Sequence, residues 1–255
     1  MTAGVLAMAG LPLLLFGCAS TSTESVPDLT FTGAEIRIDS GVACGARNIS
    51  VGGQNLWLVE FPGNFNFRRH FHNNTIRTAR FLGLSEGNIP EYHIYDDASS
   101  PNAWAINGGY GNYTVVYGAH LILELAEPVP GTDNLNTAAI NATIAHETAH
   151  ILQYSRGMRG PTKNIELMAD AVSGFVASGQ ERNTRIAIDG LRIAQKYAYE
   201  SGDFHYTSPG HHGTPAERLD AFMWGYQNGE RYIHGEWVSL DEFVTVAAQK
   251  FGVSH

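Results

Sequence analysis

His146-Glu147-Thr148-Ala149-His150 is the stretch on which the reading of this 255-residue chain turns. On a helix, residues i and i+4 share one face, so the two imidazoles reach a single ion and Glu147 lies beside them. That is the pattern of a divalent zinc site with its general base attached. The chain holds 11 His, so chance produces the pattern in roughly a few per cent of shuffled sequences, and a further ligand has to be found. Catalytic zinc takes three protein ligands and keeps a fourth position for water.

Downstream, Asn164-Ile165-Glu166-Leu167-Met168-Ala169-Asp170-Ala171-Val172 reads as a helix that carries Glu166 and Asp170 one turn apart. Leu167, Met168, Ala169, Ala171, Val172, Phe175 and Val176 surround them, which leaves this helix little polar surface. Buried carboxylates are costly unless paired or metal-bound. Glu166 is therefore the expected third zinc ligand, after His146 and His150. Asp170 is the expected acceptor for a ligand histidine's other ring nitrogen, which sets the tautomer. The reverse assignment, with Asp170 on the metal, is the alternative, because either carboxylate binds zinc. The bland reading of the pair is a short acidic stripe facing solvent.

H-E-T-A-H followed by E-L-M-A-D resembles the gluzincin metallopeptidases that carry an H-E-x-x-H and E-x-x-x-D pair, such as the CAAX-prenyl-protease and heat-shock membrane-protease type and the neutral zinc metallopeptidases. The resemblance likewise implies Glu166 on the zinc and Asp170 behind it. Upstream, Asn102-Ala103-Trp104-Ala105, Gly108-Gly109 and Thr114-Val115-Val116-Tyr117 are similar to the stretch that forms the substrate-side edge strand there. Ala103, Trp104 and Ala105 are thereby implied to lie against substrate. Downstream, His212-Gly213-Thr214-Pro215-Ala216-Glu217-Arg218 resembles the H-G-[ST]-x-x-x-R segment of the neutral zinc metallopeptidases. The resemblance spans roughly residues 65 to 228 and does not extend to the membrane helices of the prenyl-protease type. The metzincin pattern would need Gly at 153 and His at 156, where this chain has Gln153 and Arg156.

Thr214-Pro215-Ala216-Glu217 supplies an N-cap Thr, Pro at the first helical position and Glu at N3, a capping box that opens a helix through about Asn228. Leu219, Phe222, Met223 and Tyr226 are its expected buried stripe. In the functional reading, His212 or its neighbour His211 donates a hydrogen bond to the oxyanion formed at a peptide carbonyl under attack. In the bland one, His212 is a turn residue that satisfies a backbone carbonyl. Arg218 in the first turn runs against the helix dipole, so it calls either for a specific partner such as a buried carboxylate or for solvent.

The helix of the first motif is bounded by the possible N-caps Asp133, Asn134 and Asn136 and by Gly157 as C-cap. Ala138, Ala139, Ala142, Ala145 and Ala149 allow close packing against it. Arg156 to Thr162 is turn-rich and reverses the chain, so the second helix brings Glu166 back to the zinc.

Val5 to Phe16 is almost wholly apolar, too short to span a bilayer but suited to a signal h-region. Leu15-Phe16-Gly17-Cys18 looks like a bacterial lipobox, although no Lys or Arg precedes the apolar run and Phe16 is an unusual occupant. The expected organisation is a signal peptide over 1–17, a lipidated tether over 18–28 and a single domain over 29–255. The expected place is the cell envelope, membrane-attached through Cys18. Lipidation of Cys18 would leave Cys44 as a small buried side chain, and a Cys18–Cys44 bridge is the competing option.

The 44% hydrophobic content suits one substantial core. A net charge of −9 argues against nucleic acid as a general partner, since phosphate binding needs a basic face. Arg68, Arg69, Arg77 and Arg80 fall on one predicted helix and read as a solvated face. Short alternating runs such as Glu35-Ile36-Arg37-Ile38 and Leu56-Trp57-Leu58-Val59 read as strands, followed by a helix over about 67–82. Strands at 91–95 and 104–117 come next, then helices at 134–156, 164–178, 183–199, 215–228 and 240–250, the last opened by a capping box at Ser239-Leu240-Asp241-Glu242. Strands first and helices later indicate an α+β fold, here a zincin-like domain with an active-site helix pair and a small edge-strand sheet.

The expected activity is zinc-dependent hydrolysis of a polypeptide, with Zn2+ acidifying water and Glu147 as general base. One competing reading is a non-catalytic zincin-fold envelope lipoprotein acting in binding or assembly, which has no need of Glu147. Another is a zinc hydrolase acting on a non-peptide amide of the cell wall.

Overall fold

A computed structural model describes residues 30–32, 48–51, 54–59, 65–97, 101–128, 134–180, 185–204, 208, 210–235 and 239–254. The expected signal peptide, Cys18 with its tether, Cys44, Asp133 and the strand at Glu35–Ile38 lie outside the described residues. In chain order the elements are β1 (Thr30–Thr32), β2 (Asn48–Val51), β3 (Gln54–Val59), α1 (Phe65–Phe81), β4 (Glu91–Tyr95), β5 (Ala103–Asn107), β6 (Tyr113–Gly118), α2 (Ala119–Leu125), β7 (Glu127–Pro128), β8 (Asn134–Asn136), α3 (Ala138–Ser155), α4 (Thr162–Gln180), α5 (Arg185–Glu200), α6 (Pro215–Ile233) and α7 (Leu240–Phe251). The fold is mixed α+β and mostly helical, with its strands early and its long helices late.

The larger sheet has the order β2-β3-β4-β6-β5, and the smaller one β1-β8-β7. Only β4 and β6 pair in parallel. Alternation along β6 explains its two-sided burial: Val115 and Tyr117 join the main core, while Val116 joins Leu56 and Tyr95 on the opposite face. The main core gathers Phe67 and Phe71 of α1, Ile144, Ile151 and Leu152 of α3, Met168, Val172 and Phe175 of α4, and Phe243 and Val244 of α7. Arg68, Arg69, Arg77 and Arg80 lie on the exposed side of α1, as its pattern indicates. Among the described residues, no helix is long and apolar enough to cross a membrane.

Several expectations need correction. The single strand over 104–117 is two, because Gly109, Tyr110 and Gly111 all take positive φ and turn the chain between β5 and β6. The first motif's helix starts at Ala138 with Thr137 as N-cap, because Asn134–Asn136 pair with β1 and that pairing overrides the caps available at Asn134 and Asn136. Helix α2 was not foreseen. Its first turn is held by the buried Asp97, whose carboxylate accepts from the backbone N–H groups of His120 (2.7 Å) and Leu121 (3.1 Å) and also from Asn102 (3.2 Å) at the entry to β5. Gly118 is required there, since a Cβ would sit 1.6 Å from Asp97 Oδ2.

The capping boxes at 214–217 and 239–242 open α6 and α7: Thr214 and Glu217 cap each other reciprocally, and Ser239 Oγ accepts from the Glu242 N–H. The buried face of α6, however, is Arg218, Ala221, Phe222, Gly225 and Gly229, with Leu219, Met223 and Tyr226 only half-buried. Small residues let α6 lie directly on α4: a Cβ on Gly225 would meet the Ala171 carbonyl oxygen at 1.8 Å, and one on Gly229 would meet Ser178 Oγ at 2.0 Å. Those contacts are with backbone and a fixed hydroxyl, so they cannot be relieved by a side-chain rotation. Gly225→Ala is expected to destabilise the fold by about 2–3 kcal/mol in chemical denaturation, against the modest gain that Ala brings to an open helix. A neutral result would mean that the two helices separate freely.

Candidate metal centre

Helix α3 carries the first motif through the middle of the molecule. Every residue from Ala139 to Gln153 is buried, and Ala142, Ala145 and Ala149 keep the helix thin enough for its neighbours to close in. Its two threonine hydroxyls are satisfied within the helix, Thr143 by the Ala139 carbonyl at 2.9 Å and Thr148 by the Ile144 carbonyl at 2.6 Å. The turn at 156–161 then reverses the chain, and α4 lies against α3 with Glu166 and Asp170 facing the histidines.

Three side chains converge. Nε2 of His146 and Nε2 of His150 are 3.1 Å apart, Glu166 Oε2 is 3.2 Å from the first, and Glu166 Oε1 is 3.5 Å from the second. Nitrogen and oxygen donors bound to a small divalent ion at about 2.0–2.2 Å stand roughly 3.3–3.5 Å from one another when arranged tetrahedrally. This buried group of His146, His150 and Glu166 can hold a metal ion, and it is the one such group of His, Cys, Asp and Glu among the described residues. The expected ligand set is thus brought together, with Glu166 rather than Asp170 beside both Nε2 atoms.

The other ring nitrogens explain why the site calls for a cation. His150 Nδ1 is 2.8 Å from Gln153 Oε1, and the Gln153 amide nitrogen donates to the Ile165 carbonyl at 2.9 Å. That second bond fixes which end of the amide is oxygen, so Nδ1 of His150 carries the proton and Nε2 presents its lone pair. His146 Nδ1 lies 3.0 Å from Asp170 Oδ1, a close contact whose ring N–H is not aligned for a linear hydrogen bond. With both Nδ1 atoms facing acceptors, two lone pairs and a carboxylate meet within a few ångströms, and they repel unless something positive lies between them. Burial alone would lower the His146 pKa, but the Asp170 and Glu166 carboxylates outweigh it and push it up to about 10. Burial opposes ionisation of Glu166, and the imidazoles of His150 and His146 overcome it and hold that carboxyl well below the usual range. The pocket thus draws positive charge whether proton or metal supplies it.

Gln153 was read in the sequence only as a departure from another motif. Its place one turn after His150 on the same face was the available signal. Of the two outcomes open to Arg218, a buried carboxylate partner or solvent, the structure shows the first: Nε and Nη2 engage both oxygens of Asp170, the latter at 2.9 Å, while Nη1 donates to the Ser201 carbonyl at 3.2 Å. Asp170 therefore bridges His146 on one side and Arg218 on the other. Glu147 is 6% exposed, and burial pushes its carboxyl pKa up against the pull of His146 and His150. Glu166→Ala should abolish metal retention through gel filtration, and Asp170→Asn should keep the metal with about 10–100-fold weaker affinity in a chelator competition. Equal loss in both variants would put Asp170 on the ion.

A cleft of about 700 Å3 opens onto these residues. Glu147, His146, His150 and Glu166 form part of its lining, with Ala103, Trp104 and Ala105 of β5 along one wall. Among the described residues, β5 is bordered by β6 on one side and by no strand on the other. The Trp104 ring stacks on Tyr95 at 5.4 Å on the far face of the sheet, while Ala103 and Ala105 pack with the core on the α3 side. His212 borders the cleft with a ring 49% exposed, and its backbone N–H donates to Asp203 Oδ2 at 3.0 Å. His211 is instead buried against Asp203 Oδ1 at 2.7 Å, so of the two histidines only His212 faces the cleft. Comparison with family models, with curated proteins and with solved structures finds no match to this chain.

Proposed function

We propose that the chain is a zinc-dependent endopeptidase of the gluzincin type, built on a zincin-like domain and carried to the cell envelope by a lipid on Cys18. The observation that carries the reading is the convergence of two histidine lone pairs and the Glu166 carboxylate at a cleft, with the buried Glu147 beside them. Zn2+ held by His146, His150 and Glu166 would polarise a substrate carbonyl and acidify water.

The protein's own groups do the rest. Glu147 takes the proton from the attacking water and hands it to the leaving amine, and burial suits it to this by raising its affinity for a proton. Asp170, anchored by Arg218, lies 3.0 Å from Nδ1 of His146 and leaves Nε2 forward, and Gln153 hydrogen-bonds Nδ1 of His150 to the same effect. The open edge of β5 pairs with an extended polypeptide, which gives affinity through backbone hydrogen bonds with little dependence on sequence. His212 donates to the carbonyl oxygen as charge builds on it.

A purely binding role leaves Glu147 buried without purpose. The test uses the full chain on an unfolded protein: cleavage should stop when a chelator removes the metal and return when zinc is restored. Cleavage that survives chelation, or purified protein that takes up no zinc, would overturn the reading.

A further inference from the structure

Away from the metal centre, the charge of the chain is unevenly placed. Residues 61 to 85 hold four arginines and no Asp or Glu, a charge of +4 within a net −9, which leaves −13 on the remainder. All four fall on α1, where Arg68, Arg69, Arg77 and Arg80 are exposed while Phe67, Phe71 and Leu82 are buried. From Arg68 to Arg80 they span about 18 Å at about 1.5 Å per residue.

A helix face that meets only water commonly mixes signs, so that acids and bases one turn apart offset each other. On α1 the charges are of one sign and badly placed for the helix itself. Arg68 sits in the first turn, against the helix dipole and with no acidic residue in that turn, and Arg77 and Arg80 are like charges three residues apart. Glu86, beyond the end of α1, pairs with Arg80 at 3.1 Å, but the two side chains are 60% and 76% exposed, so the pair is weak and readily exchanged.

Apolar groups share this face. Phe81 is 41% exposed at the end of the helix, and Ile76 is half-buried among the arginines. Guanidinium groups beside an exposed aromatic ring match a surface with phosphates outside and hydrocarbon just beneath. Four arginines are few for a nucleic acid, whose partners commonly neutralise roughly six to ten phosphates, but clusters of about four suffice at an anionic headgroup layer.

The face also has a fixed relation to the cleft. Asn74, on the buried side of α1, donates to Asn141 Oδ1 of α3 at 2.7 Å. Asn141 precedes His150 by nine residues, which at about 100° per residue sets the two about 180° apart around α3. Helix α1 thus packs on the side of α3 turned away from His150, and none of the described residues lining the cleft belongs to it.

We infer that the arginine face of α1 docks the protein on an anionic phospholipid surface, with Phe81 entering the headgroup layer and the metal cleft reached from the aqueous side. The docking surface stands independently of the peptidase reading. To that reading it adds that the substrate arrives from water rather than from the bilayer.

The test titrates the full-length protein with vesicles of phosphatidylcholine alone and of phosphatidylcholine containing about 30% phosphatidylglycerol, at about 50 mM salt. Neutral vesicles read whatever the N-terminal segment contributes, so the anionic increment isolates α1. Each arginine brought to an anionic surface contributes about fivefold, so the four should raise partitioning by at least about a hundredfold. The sign is itself telling, because a chain of net −9 is otherwise repelled. The increment should vanish at about 500 mM salt, and also when Arg68, Arg69, Arg77 and Arg80 are all changed to Gln. On the wild-type protein, phenylglyoxal labelling read by mass spectrometry should show those four arginines protected by anionic vesicles and the exposed Arg192 of α5 unprotected, a readout that needs no variant to fold. Equal partitioning onto the two vesicles, an increment that the quadruple variant keeps, or protection that spares α1 overturns the inference. So does binding of a fluorescent single-stranded oligonucleotide that the quadruple variant loses while vesicles show no anionic increment.

Discussion

Glu147→Gln is expected to lower the hydrolysis of an unfolded protein by about a thousandfold while leaving the fold and the bound metal in place. The reasoning is one of shape against chemistry. Glutamine matches glutamate in size, and Glu147 does not belong to the converging donor group of His146, His150 and Glu166. The substitution should therefore disturb neither the packing around a 6%-exposed side chain nor the capture of an ion. What it removes is the ability to accept a proton and pass it on. The check is a pair of measurements on the same preparation, zinc content and rate. Wild-type rates in Glu147→Gln would mean the general base lies elsewhere, whereas a loss of zinc would show that Glu147 supports the ion itself.

Arg218→Met is expected to destabilise the protein by about 3–5 kcal/mol, because it strands a buried carboxylate. Asp170 and Arg218 have side chains only 4% and 5% exposed, and each is the other's closest charge. Met retains much of the arginine's volume, so the loss is electrostatic rather than a cavity. The companion variant is the double substitution Asp170→Asn with Arg218→Met, which removes both charges. It should recover a large part of the stability in urea unfolding yet still bind zinc more weakly than wild type, because His146 loses its carboxylate. If the single change costs under about 1 kcal/mol, solvent reaches the pair and the burial argument fails. A double variant that binds zinc as wild type would show that Asp170 does not orient His146.

Much of the site was legible before any coordinates because it is written in local spacing. His146, Glu147 and His150 share a helical face by arithmetic, and Glu166 and Asp170 do the same one helix later. The capping box at Thr214 places Arg218 in the first turn of α6 for the same reason. Short-range turn geometry was harder to read. The chain from Trp104 to Tyr117 looks like one strand because the alternation of Thr, Val and Tyr outweighs three turn residues in the middle. The seven residues of α2 carry no capping side chain of their own, since the cap is Asp97, far upstream in the chain.

By itself, then, the sequence picked out His146, His150 and Glu166 as a group that can hold a metal ion, with Glu147 beside them, and most of the order of strands and helices, because each follows from periodicity or from a pattern within a few residues. The tertiary structure decided how those pieces act on one another. It put Glu166 between the histidines and Asp170 behind His146, assigned Gln153 to His150, and laid α6 on α4 along Gly225 and Gly229 so that Arg218 reaches Asp170. It also turned β5 to the rim of a cleft whose lining Leu121, Leu125 and Ile193 share. Those relations depend on how closely two helices approach and on which groups share a buried space, and no run of consecutive residues encodes either.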